Sequence, residues 1–123
     1  MIALDTSSLS AFLLGEAGPD VDAVDAALRD MRALLPPVVV TEALSSRHLL
    51  PEHAAMLVAI PRVILSDGHW ERAGRLRASV LGRGHKSRLA DVLIAQACID
   101  ADVGLITRDR DFRHYVRAGL RLA

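Results

Sequence analysis

Three features of this 123-residue chain predict an α/β fold, with a central parallel sheet of four to five strands flanked by helices. Short apolar, β-branched runs alternate with longer segments of helical period, the pattern of βαβ units. Turn-forming residues (Gly18-Pro19, Pro36-Pro37, Pro51, Pro61 and Gly68) fall between those segments. The hydrophobic share of 51% and mean hydropathy of +0.27 suit strands covered on both faces.

Ile2-Ala3-Leu4 opens the first strand, over 2–5. Helices are predicted near 6–14 and 20–34; Ser8 and Ser10 suit capping, and Asp20, Asp22, Asp25 and Asp30 fit a first turn and solvated face. After Pro36-Pro37, the run Val38-Val39-Val40-Thr41 predicts a strand over 37–41, then helices near 42–49 and 51–59. A strand over 62–65 follows Pro61, and Asp67-Gly68-His69 turns into a helix over 69–82. The polar, glycine-rich stretch from Leu81 to Ser87 is the predicted loop before a helix over 89–101. A strand over 103–107, a short helix over 110–117 and a strand over 119–122 complete one domain spanning 1–123.

Fifteen basic and fifteen acidic residues cancel, so a nucleic-acid footprint has to be local. Cys98 is the only cysteine, which excludes an internal disulfide and a cysteine-built zinc site and fits a small core residue. No apolar run approaches a membrane span of ~18 residues, and no signal-peptide pattern precedes the first strand, so a cytoplasmic protein without a membrane anchor is expected. The apolar excess favours an oligomer, a homodimer above all, or a bound partner.

The chemistry lies in the acids. Asp5, Glu42 and Asp109 follow predicted strands, and Asp91 opens an apolar helix, so all four fall towards one edge of one sheet. Ligand crevices of open parallel sheets lie beyond the strands' carboxyl ends. Carboxylates crowded there repel one another unless a divalent cation offsets them. Mg²⁺ or Mn²⁺ suits an all-oxygen site and supports in-line attack of water on a phosphodiester. Thr6, Ser7 and Thr107 supply hydroxyls that could orient these acids, although Thr6 or Ser7 equally suits a helix cap.

Four segments then carry a resemblance: Ile2-Ala3-Leu4-Asp5-Thr6-Ser7, Val40-Thr41-Glu42, Leu89-Ala90-Asp91-Val92-Leu93-Ile94-Ala95 and Leu105-Ile106-Thr107-Arg108-Asp109-Arg110-Asp111-Phe112. In this order they resemble the motifs of PIN-domain ribonucleases, and among those the VapC-type toxins of bacterial toxin–antitoxin pairs. The resemblance implies a PIN-like three-layer fold and a Mg²⁺- or Mn²⁺-dependent endoribonuclease held inactive by a cognate antitoxin. It implies a catalytic quartet of Asp5, Glu42, Asp91 and Asp109, with metal held chiefly by Asp5 and Asp91 and with Asp109, like Glu42, completing the cage or acting through water. Asp111 would hold the loop or act as an outer ligand.

Arg72, Arg75, Arg77, Arg83, Lys86 and Arg88 form a run without an intervening acid. Arg83, Lys86 and Arg88 are candidates for a phosphate-binding rim, with a solvated helix face as the equal alternative. Arg108 and Arg110 bracket Asp109 and could steady substrate phosphates or pair with acids. The five histidines show no metal-binding spacing and read as surface or interface residues. Trp70, Phe12, Phe112 and Tyr115 are too scattered for a base-stacking platform. The competing function is a non-catalytic PIN-fold module that binds protein or RNA. Receiver-type and dehalogenase-type sites fail, because Lys86 lies in a loop and Asp5 begins Asp-Thr-Ser rather than Asp-x-Asp.

Overall fold

Strand β1 (Ile2–Leu4) is the middle of a three-stranded parallel sheet, between β2 (Ala33–Leu34) and β3 (Gly104–Ile106); the computed structural model describes the chain from Met1 to Ala123. Ala3 stands opposite Leu34 on one side and Leu105 on the other. Ala3, Leu4, Leu105 and Ile106 are buried, as a parallel sheet covered by helices requires. The helices are α1 (Thr6–Leu13), α2 (Pro19–Arg29), α3 (Pro37–Leu44), α4 (Pro51–Ala59), α5 (His69–Gly82) and α6 (Leu89–Ala101), followed by a 3₁₀ segment, Arg110–Ala118. None is long and apolar enough to cross a membrane.

The sheet is narrower than the four to five strands predicted. Residues 62–65 and 119–122 contribute one parallel bridge each, Leu35 to Arg62 and Leu105 to Leu122. Arg62 donates to the carbonyls of Val58 and Ile60, which folds it back on α4, and Ile64 points to solvent. At the other edge Gly119, at φ +115°, turns the chain just before it meets β3.

The larger correction concerns 37–41, where the predicted strand is the helix α3. Pro37 stands in its first turn, where a missing N–H costs nothing and the fixed φ suits a helix. The buried side chains of α3 are Val39 and Ala43, four residues apart, which is a helical rather than an alternating pattern. Core contact along one helical face therefore overrides the β propensity of three valines. The strand lies earlier, at Ala33–Leu34, because α2 ends at Arg29 and Met31 takes a left-handed φ of 55° that turns the chain into the sheet.

Helices α5 and α6 match the predicted 69–82 and 89–101. α6 buries Val92, Ile94, Ala95, Gln96, Ala97 and Cys98, residues from all around its axis, so it is a central helix rather than a surface one. Phe112 and Tyr115 of the 3₁₀ segment seal the same core, with ring centroids 5.8 Å apart. This packing holds the amino end of α6 beside the carboxyl ends of β1 and β3.

Candidate active site

Asp5 leaves β1 in extended conformation and sits at the amino end of α1, while its N–H donates to the Ile106 carbonyl at the end of β3. Its carboxylate is buried, only 4% exposed. Asp5 Oδ2 accepts from Ser7 Oγ at 2.7 Å and from Thr107 Oγ1 at 2.7 Å. Two of the predicted supporting hydroxyls, Ser7 and Thr107, thus act on Asp5 itself, and neither Thr6 nor Ser7 caps α1. Thr107 Oγ1 also accepts from the Asp109 N–H at 3.0 Å, so one hydroxyl joins two acids. Asp109 Oδ1 in turn accepts from the Asp111 N–H at 2.9 Å and opens the 3₁₀ segment.

Glu42 arrives differently from its prediction, because it rides on the last turns of α3 and follows no strand. Thr6 Oγ1 donates to its Oε1 at 2.7 Å, which draws this exposed side chain towards the start of α1. Asp5, Glu42 and Asp109 share one arrangement: each holds the chain with one oxygen, while Asp5 Oδ1, Glu42 Oε2 and Asp109 Oδ2 receive no donor from the protein. Asp91, in the first turn of α6, receives none on either oxygen and remains half-buried.

Electrostatics shows that these acids share a space. The Asp91 carboxyl is pushed from 3.8 up to about 6, first by burial, then by the charges of Asp109 and Asp5 and, less strongly, Glu42, with Arg88 opposing. Asp111 is not among these influences; its charge is felt instead by His114 and Tyr115 on its own segment. Asp91 therefore feels acids from three other segments, Asp5, Glu42 and Asp109.

A family model, the PIN domain, matches residues 2–118. The chain belongs to the PIN domain family. No curated protein matches it. PIN domains are generally nuclease modules and usually metal-dependent, with Mg²⁺ or Mn²⁺ as the typical ion. In this PIN domain no three His, Cys, Asp or Glu side chains close on one point as a ready ligand set. The donors nevertheless fit a hydrated hard cation. They are all oxygens, each acid keeps an oxygen without a protein donor, and Mg²⁺ takes one or two carboxylates directly with water completing the shell.

The basic residues divide. Arg108 turns away from the acids of the site and holds Asp20 through Nε at 2.9 Å and Nη2 at 3.2 Å, with Glu16 at 3.2 Å. That bond and Ser8 Oγ, at 2.8 Å, lower the Asp20 carboxyl to about 2 despite partial burial. Asp20 is therefore a structural anchor and Ser8 its buried donor, where the sequence suggested a solvated acid and a capping serine. Arg72 is likewise engaged with Asp100, and Arg77 with the Ser87 carbonyl. Arg83 donates to the His114 carbonyl at 3.2 Å. Lys86, Arg88 and Arg110 are exposed and enter no ion pair, and Arg110 lines a hollow of about 240 Å³ with Thr107, Asp109 and Arg113. One histidine departs from a surface role: His69 is buried with Nδ1 3.7 Å from Asp100, whereas His85, exposed, stacks on His114. No sequence periodicity announces either, since each depends on a tertiary neighbour.

Proposed function

We propose that this PIN domain is a metal-dependent endoribonuclease, the toxin of a toxin–antitoxin pair, that hydrolyses phosphodiester bonds in RNA. The observation that carries this reading is the convergence of Asp5, Glu42, Asp91 and Asp109, each with an oxygen left free by the chain. Asp5, Asp91 and Asp109 would hold the cation, one or two of them directly and the rest through its water shell. Bound there, Mg²⁺ or Mn²⁺ supplies Lewis-acid polarisation of the scissile phosphate and a more acidic water. Ser7 and Thr107 fix the orientation of Asp5, and Thr107 keeps Asp109 in register with it. Glu42, exposed and steered by Thr6, accepts a proton from the attacking water at Oε2. Arg110, beside Asp109, contacts a substrate phosphate.

Two surfaces support the partners in this reading. A mainly apolar groove of about 250 Å³, lined by Leu13, Leu14, Ala43, Leu49 and Leu50, lies on α1 and α3, the helices that carry Thr6 and Glu42, and suits an antitoxin segment. A second, around Leu28, Met31, Met56 and Ile60, with Met31 87% exposed, suits a homodimer contact. A cytoplasmic protein fits an RNA substrate.

Asp5→Asn tests the reading. It is expected to abolish Mn²⁺-dependent RNA cleavage while leaving the circular dichroism spectrum unchanged; cleavage at the wild-type rate by folded Asp5→Asn protein would contradict the assignment.

A further inference from the structure

The loop between α5 and α6 is fastened to the 3₁₀ segment by three contacts. Arg83 donates to the His114 carbonyl at 3.2 Å, His85 stacks on His114 with centroids 4.2 Å apart and planes 13° from parallel, and the buried hydroxyls of Ser87 and Tyr115 lie 2.7 Å apart. The seam runs between two site acids, because the loop ends at Arg88, three residues before Asp91, and the 3₁₀ segment begins after Asp109. His85, Lys86, Arg88 and Arg113 are exposed along it. Lys86, Arg88 and Arg113 make no hydrogen bond or ion pair with the protein, and Asp111 is the only acid on either stretch. On a chain of zero net charge this is a concentrated cationic strip.

We propose that this seam is a contact surface for the RNA strand beside the cut, with phosphates on Lys86, Arg88 and Arg113 and a nucleotide base against the paired imidazoles of His85 and His114. The inference rests on the nuclease reading and adds the residues that hold the substrate. Loose cations beside a rigid stacked pair suit a polyanion that also carries flat, stackable rings, which RNA supplies at every nucleotide. His114, stacked under His85, is also suited to respond to protons. Burial, then His85 and Arg113 and finally Arg83 hold the His114 imidazole below its usual range, with Asp111 opposing. A bound phosphate adds negative charge to the same surroundings, so RNA binding and protonation of His114 favour each other.

The probe is a fluorescein-labelled single-stranded RNA of mixed sequence, titrated by anisotropy in EDTA against full-length Asp91→Asn protein, which prevents cleavage and removes the Asp91 titration. Lys86→Ala and Arg113→Ala in that background are expected to weaken binding and to lower the salt dependence by about one phosphate contact each. Affinity is expected to rise as the pH falls from about 7.5 to 5.5, by up to about tenfold for each proton whose pKa rises one unit in the complex. His85→Phe/His114→Phe, which keeps two stacked rings without titratable groups, is expected to lose that rise. Unchanged affinity and salt dependence in both cation variants would overturn the proposal and leave the strip to an acidic protein segment. Retention of the pH response by the double phenylalanine variant would remove the histidine pair from it. Cleavage by the wild type with Mn²⁺, measured in parallel, separates the readings: seam variants that cut and bind like wild type refute the seam alone, whereas seam-dependent binding without any cleavage refutes the nuclease alone.

Discussion

Asp91→Asn isolates the electrostatic cost of the acidic site before any cation is bound. Burial and the charges of Asp109 and Asp5 raise the Asp91 carboxyl from 3.8 to about 6 in the native state. A raised carboxylic acid contributes native stability that is fully present below the unfolded pKa and lost as pH rises through the folded value. At neutral pH the native protein therefore carries an unfavourable charge that the unfolded chain does not feel. A shift of roughly 2 units corresponds to about 3 kcal/mol at ~1.36 kcal/mol per unit. Solvent reaches this half-buried side chain, so a penalty on the order of 1–2 kcal/mol is expected. Urea denaturation in EDTA reads it: the near-isosteric Asn variant is expected to exceed the wild type by that amount at about pH 7.5, with the gap shrinking to less than half at about pH 4.5. A variant no more stable than wild type at the higher pH, or a gap independent of pH, would refute the convergence of charges on Asp91.

Other outcomes follow from the same contacts. Millimolar Mn²⁺ is expected to stabilise the wild type by on the order of 1–3 kcal/mol in a thermal melt if its Kd is well below that concentration, and Asp5→Asn/Asp91→Asn is expected to lose the effect. Thr107→Val deletes the donor to Asp5 and the acceptor of the Asp109 N–H. A loss of about 1–3 kcal/mol with a sharp fall in cleavage is expected, checked by denaturation and by single-turnover kinetics. Arg108→Ala releases Asp20, whose carboxyl lies near 2, so the stability deficit is expected above pH 4 and to fade as pH drops through that value. The same substitution is expected to leave RNA affinity unchanged in an anisotropy titration, because Arg108 is engaged away from the acids of the site.

Much of this architecture is legible in the chain because its signals are local. Ile2-Ala3-Leu4 and Gly104-Leu105-Ile106 are apolar runs bounded by polar residues, and α5 and α6 begin and end beside glycines, polar residues or capping positions that declare themselves. Asp5, Asp91 and Asp109 were legible for the same reason, since each stands at a junction between elements. Val38-Val39-Val40 misleads because its propensity is β while its burial follows a helical face. Ala33–Leu34 is too short to register against the helical pattern before it. The bond between Arg108 and Asp20 spans 88 positions, and the stacking of His85 on His114 joins two elements unrelated by any repeat. Contacts of that kind come from the packing of α2 against β3 and of α5 against the 3₁₀ segment, which no local pattern encodes.

The most direct measurement is gel-resolved cleavage of total cellular RNA by protein freed of any co-purified antitoxin, with Mn²⁺, with Mg²⁺ and with EDTA, beside the Asp91→Asn variant. Discrete fragments that need both the metal and Asp91 are expected. Intact RNA throughout, from folded protein shown to bind the metal, would contradict a nuclease built on these four acids.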